Sequence, residues 1–148
     1  MRAKSWSLLP LFFLATASSV LTAQQQPLSA QPVSPPMMTI PIQQEEITVR
    51  LVNETTDFVT YEALGDTQPR TLTAGNEIIL QNLNTPASLT FFYRDIPKDR
   101  QIGDGLLQAV LDVDNDTGIL TIVIRPTTSL DADVSNITIE PNGNVFVF

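Results

Sequence analysis

Three aspartates spaced by two, Asp112, Asp114 and Asp116, with Gly118 close behind, are the part of the chain best suited to chemistry. Carboxylates at alternate positions of a tight loop can converge on a hard cation such as calcium, which takes oxygen ligands at about 2.3–2.6 Å. The EF-hand version of such a loop needs Gly at its sixth position and Glu at its twelfth. Counted from Asp112, Gly118 is seventh and Val123 is twelfth, so that loop is excluded. A looser calcium site is formed if Asp131 and Asp133 approach from a neighbouring loop. The expected metal ligands are then Asp112, Asp114, Asp116, Asp131 and Asp133. The competing explanation is local: Asp, Asn and Gly favour the backbone of tight turns, and the same residues close a hairpin without any ion.

Catalysis has little to work with. The chain has no histidine and no cysteine, which removes imidazole bases, thiol nucleophiles and cysteine-ligated zinc. What remains is a carboxylate pair of the glycosidase kind or a Ser–Lys dyad through Lys98. Sixteen acidic residues make some pair inevitable, and none is marked as buried. The chain is therefore expected not to be an enzyme, and no cofactor is expected apart from calcium. A sugar-binding platform would need exposed aromatic rings. Tyr61 shares parity with Val59 and Ala63, and Tyr93 with Leu89 and Phe91, so both tyrosines are expected in the core. Phe58 and Phe92 fall on the opposite parity and are expected at the surface.

The elements that must position these groups begin only after a leader. Arg2 and Lys4 precede the apolar run Leu8 to Leu14, and small residues come next at Ala15-Thr16-Ala17 and Leu21-Thr22-Ala23. This is the order of a secretory signal peptide, residues 1–23, with cleavage after Ala23 favoured over Ala17. The apolar run is short of the roughly 20 residues a membrane span requires. Residues 24–46 hold five prolines among Gln and Ser, and read as an extended or disordered spacer that can reach about 70 Å. Met37, Met38 and Ile40 at its end are apolar enough to dock on the β domain. The formal charge is −8; without the leader, six basic residues stand against sixteen acidic ones, a formal −10. Such a body repels phosphate backbones and anionic lipid, so neither nucleic acid nor a membrane surface is an expected partner.

From Ile47 to Phe148 the hydrophobic period changes to two. Strands are expected at Ile47–Val52, Phe58–Leu64, Asn76–Leu83, Ser88–Arg94, Leu106–Val113 and Ile119–Arg125, with a polar loop from Asp95 to Gly105. An even loop at Asn115-Asp116 pairs Leu111 with Leu120, Ala109 with Ile122 and Leu107 with Ile124. That register leaves Gln108, Val110, Asp112, Thr121 and Val123 on the other face. Asn142-Gly143 reads as a two-residue type I′ turn. It sets Ile139 opposite Phe146 and Ile137 opposite Phe148. The fold class is all-β: a small antiparallel β-sandwich, or a barrel-like relative, of about seven or eight short strands. The closing Phe146-Val147-Phe148 has the alternation of a final outer-membrane strand, but spanning strands need about 9–11 residues and most strands here are shorter.

Several segments bear a likeness to known proteins: Ile47-Thr48-Val49-Arg50-Leu51-Val52-Asn53, Tyr61 through Gly65-Asp66-Thr67 to Arg70, Gly105-Leu106-Leu107, and Pro141-Asn142-Gly143-Asn144-Val145. Across most of the β domain the chain resembles a group of small secreted cyanobacterial proteins. The resemblance implies export and a β domain, and supplies no active site. The expected role is that of an exported periplasmic or extracellular domain that binds, or supports, a protein or cell-envelope component. A calcium-dependent binding module is the alternative. A carboxylate hydrolase and a small outer-membrane barrel stand further off.

Overall fold

The computed structural model describes residues 35–42, 46–95 and 105–148. These belong to the compact unit Val33–Phe148. The expected signal peptide, most of the expected spacer and the loop residues around Lys98 lie outside the described residues. Period-two alternation builds β2 (Glu46–Asn53), β3 (Val59–Ala63), β5 (Glu77–Asn84), β6 (Ala87–Tyr93), β7 (Leu106–Asp114) and β8 (Ile119–Thr127) close to where the pattern places them. β9 (Asn136–Ile139) and β10 (Asn144–Val147) form the closing hairpin. Two further strands, β1 (Met38–Thr39) and β4 (Arg70–Leu72), raise the count to ten. They hold two and three residues, too few to display a period.

The strands form two sheets. One has six strands in the order β1-β10-β9-β6-β3-β4, all antiparallel. The other has four, β5-β2-β8-β7, and is mixed, because β2 runs parallel to β8. Among the described residues both sheets are open, with β1, β4, β5 and β7 as edge strands, so the architecture is a sandwich and not a closed barrel. The barrel alternative, including an outer-membrane one, is corrected accordingly. Among the described residues no helix is long and apolar enough to cross a membrane, and the only helical element is a 3-10 turn at Leu130–Ala132.

The inner faces meet in one core. Val59, Tyr61, Leu89, Phe91, Ile137, Ile139 and Val145 come from the larger sheet, and Val49, Leu51, Leu120, Ile122 and Ile124 from the smaller. Each side chain of this size contributes about 1.5–3 kcal/mol on burial, the only available substitute for disulfides in a chain without cysteine. Leu80 and Leu83 are both buried although three apart. A bulge opposite Thr48 makes this work: Val49 pairs with Leu80 and Ile47 with Leu83, so one extra residue lies between, and Asn82 takes a left-handed φ of 56° there. Within the stretch expected as a spacer, Ile40 enters the core. Ile40 is 2% exposed, β1 pairs with β10, and the Ile40 amide donates to the Gly143 carbonyl at 2.9 Å.

Both hairpin registers differ from expectation. In the β7–β8 hairpin Val113 pairs with Leu120, Leu111 with Ile122 and Ala109 with Ile124, two residues away from the expected pairs. The loop has four residues, Asn115 to Gly118, closed by the Gly118 amide on the Asp114 carbonyl at 2.7 Å with Gly118 at φ +72°. A shift of two preserves the faces, so Leu107, Leu120, Ile122 and Ile124 are buried and Val110 is exposed as expected. In the β9–β10 hairpin Val145 pairs with Ile139 and Val147 with Ile137. The loop is Pro141-Asn142-Gly143: the Gly143 amide donates to the Glu140 carbonyl at 2.9 Å, and Gly143 alone has positive φ, +86°. That is a turn ending in a left-handed glycine, the three-residue form, in place of type I′. The slip of one turns Phe146 and Phe148 off the core and puts Val145 into it.

Candidate functional site

The five aspartates of the expected metal site do not gather. Asp112 and Asp114 are at the C-terminal end of β7, and Asp116 is in the loop beyond. Asp131 lies in the 3-10 turn, and Asp133 comes directly after it. The Asp133 carboxylate accepts the Leu107 amide at 2.9 Å, at the opposite end of β7. At about 3.4 Å per residue, Leu107 stands roughly 17 Å from Asp112 and roughly 24 Å from Asp114. Asp131 and Asp133 therefore do not reach the hairpin turn. Among the described residues no group of three or more acidic side chains is placed to hold a metal ion.

Their carboxylates serve the backbone instead. Asp114 Oδ1 accepts the amides of Asp116 at 2.9 Å and Thr117 at 3.3 Å. The Thr117 hydroxyl and these two amides hold the Asp114 carboxyl below its ordinary pKa, because each bond favours the charged form. Asp112 and Asp133 act on the outer edge of β7. Leu107 gives its amide to Asp133 and its carbonyl accepts the Val134 amide at 2.7 Å, so its main chain faces away from β8. By the alternation of an antiparallel ladder, Ala109, Leu111 and Val113 face the same way. The Val113 amide is taken by Asp112 Oδ1 at 3.0 Å. Carboxylates thus occupy both ends of an edge strand that would otherwise offer a template for pairing. Sequence spacing could not show this, because Asp133 meets β7 only through the tertiary fold.

Among the described residues are two shallow clefts. One of about 250 Å³ is lined by Pro41, Glu46, Ile47, Thr48, Asn82, Thr117 and Gly118, with Glu46 its one ionisable residue. The other, about 280 Å³, runs along the β3–β4 turn past Glu62, Asp66 and Arg70. Asp66 there accepts the Asn84 side-chain amide at 2.8 Å. A general acid requires a raised carboxyl pKa, and the shift at Asp114 runs the other way.

The remaining distinctive surface is the outer face of the six-stranded sheet. Phe58 and Phe92 are 49% and 53% exposed. Phe92 pairs with Thr60, and the Arg94 amide donates to the Phe58 carbonyl at 3.0 Å, so the two rings occupy diagonal positions across β3 and β6. Register sets a row Thr71–Thr60–Phe92 beside a second row Glu62–Thr90–Asn136. Phe148, 64% exposed, closes the second row through paired amides with Asn136. Ser88 and Thr138 both hydrogen-bond to the Asn136 side chain within this face. Parity in the sequence identifies Phe58 and Phe92 as surface residues; the row-by-row assembly with Thr and Asn requires the strand order. Tyr61 and Tyr93 are buried, as their parity implies.

One buried polar residue carries no signal in the sequence pattern. Asn53 is fully buried, and its side chain donates to the carbonyls of Asp57 at 2.9 Å and Leu72 at 3.0 Å while accepting the Thr55 amide at 2.9 Å. It ties the β2–β3 connection to β4, and thereby holds the corner from which Phe58 projects. Compared with models of known protein families, with curated proteins and with solved structures, the chain matches none.

Proposed function

We propose that the chain is an exported, non-catalytic binding domain whose contact surface is the outer face of the six-stranded sheet. One observation carries this reading: two phenylalanines, half exposed, stand at diagonal positions, Phe92 on β6 and Phe58 at the entry to β3, on a sheet face that nothing among the described residues covers. Water contact with such rings is unfavourable, and contiguous exposed aromatics on a rigid scaffold mark contact sites. The basic start, apolar run and small cleavage residues of the first 23 positions support export, as does the resemblance to small secreted proteins.

The test uses the secreted chain and envelope fragments of its own host. The wild type should cosediment with the fragments. The double variant Phe58→Thr/Phe92→Thr should stay in the supernatant while melting at an unchanged temperature, since Thr suits a strand. Val110→Ser, on the exposed face of the other sheet, should cosediment like the wild type. Equal cosedimentation of the double variant would exclude this face. Mass spectrometry should show the loss of about 23 residues. Trp6 leaves with them, so tryptophan fluorescence should be absent from the exported form.

A further inference from the structure

We infer that the occupant of this face is an uncharged polysaccharide, an inference that rests on the binding face just described. Charge selects among the occupants. A second copy of the chain would bring another formal −10 to the surface, and self-repulsion opposes that. A basic protein needs a cluster of acidic groups, and around the phenylalanine pair the charges on the face are Glu62 and an Arg94 that is ion-paired with Asp95 at 3.8 Å, which is no such cluster. Arg94 is itself directed to the Thr71 hydroxyl at 3.4 Å. The closely spaced acids Asp112, Asp114 and Asp116 belong to the other sheet and its hairpin loop, whereas Asp66 and Glu140 stand in the turns of this one. A neutral ligand requires no charged cluster, and the face supplies none.

The side-chain inventory then narrows the ligand. Thr60 and Thr90 each present a hydroxyl, a group that donates and accepts, and Thr71 adds a third whose oxygen also receives Arg94. They recur across strands about 4.8 Å apart, close to the width of a pyranose ring. Phe58 and Phe92 provide flat apolar rings beside those rows. A sugar has the same two-sided character, with hydroxyls around its rim and an apolar C–H face. A glycan lying across the strands would set its rings on the phenylalanines and its hydroxyls on the threonine rows.

The experiment measures depletion of the mature chain by suspensions of cellulose, chitin and β-1,3-glucan, with polygalacturonate as the anionic counterpart. At least one neutral glycan should deplete the protein, and the depletion should persist in about 1 M salt, where charge interactions are screened within about 3 Å. Phe92→Thr should weaken it by about tenfold, and polygalacturonate should not bind. Depletion by none of the neutral glycans, by polygalacturonate alone, or only at low salt would overturn the inference. Envelope cosedimentation separates the two levels. If envelope binding requires Phe58 and Phe92 but is abolished by protease treatment of the fragments, the partner is a protein: the glycan falls and the binding face stands. If the double variant binds envelopes like the wild type, the face itself falls.

Discussion

The β7–β8 and β9–β10 hairpins turn with the same ingredients and reach opposite outcomes for their side chains. Each places an Asx residue inside the turn and a glycine of positive φ at its end, Gly118 in one and Gly143 in the other. The first loop has four residues, and its register departs by two from a two-residue loop. The second has three, and departs by one. An even shift returns every side chain to its own face, whereas an odd shift exchanges faces. Leu111 and Ile122 accordingly keep the face that alternation assigns them, while Phe146 and Phe148 lose theirs to Val145 and Val147. Loop parity, more than loop length, decides whether a strand reading survives.

Glycine replacement should produce the largest contrast between the hairpins. A Cβ on Gly143 would lie 2.1 Å from the Ile40 carbonyl oxygen, whereas one on Gly118 would lie 3.7 Å from Pro41. Gly118→Ala should cost only the left-handed penalty, about 1–2 kcal/mol. Gly143→Ala should add the undocking of Ile40, about 1.5–3 kcal/mol more. Urea denaturation measures both. Equal losses would mean that Ile40 is not held by the close approach at Gly143.

The register of the second hairpin is tested next. Ile139→Ala should cost about 2–5 kcal/mol, the range for a buried large-to-small change. Phe148→Ala should cost less than about 1 kcal/mol, because its ring faces water. Under a type I′ register the two residues would share the core, and their losses would be comparable. A large Phe148 effect would therefore restore the two-residue turn.

How much is legible in the residues alone depends on how far each signal reaches. Alternation at β2, β6 and β8 is repeated over seven to nine residues, and each repeat buries another side chain, so the sequence carries the strands redundantly. Asn142-Gly143 is one dipeptide compatible with two backbones. The choice between them is made by Ile40, which lies over a hundred positions away and needs the three-residue turn to approach Gly143. The aspartates mislead for a similar reason. Asp112, Asp114 and Asp116 have the spacing of ligands, but alternate positions on a strand are also where an edge is shielded and a turn is closed. The Asp133 carboxylate meets an amide 26 positions away; its role exists only once the 3-10 turn lies beside β7. The aromatic face is half legible: parity exposes Phe58 and Phe92, but only the order β9-β6-β3-β4 lays the threonine rows beside them.

The smallest expected effect lies in how the two turns respond to acid. The β7–β8 turn is closed by a carboxylate, with Asp114 accepting the amides of Asp116 and Thr117. The β9–β10 turn uses a neutral group, with Asn142 Oδ1 accepting the Asn144 amide at 2.9 Å. The folded state holds the Asp114 pKa below its unfolded value, through the Thr117 hydroxyl first and then the two amides. A group of this kind stabilises the fold fully above its unfolded pKa of about 3.9, and the contribution disappears as pH falls through the lower folded value. Asp114 is fully exposed, so solvent keeps the effect small. Hydrogen exchange resolves it locally. On moving from about pH 5 to about pH 2.5, protection of the Gly118 amide should fall relative to that of the Gly143 amide, after correction for intrinsic exchange. In Asp114→Asn, which keeps an acceptor oxygen without the charge, the ratio of the two should become independent of pH. A ratio that stayed flat in the wild type would show that the carboxylate contributes no more than the amide does, and the turns would then differ in length alone.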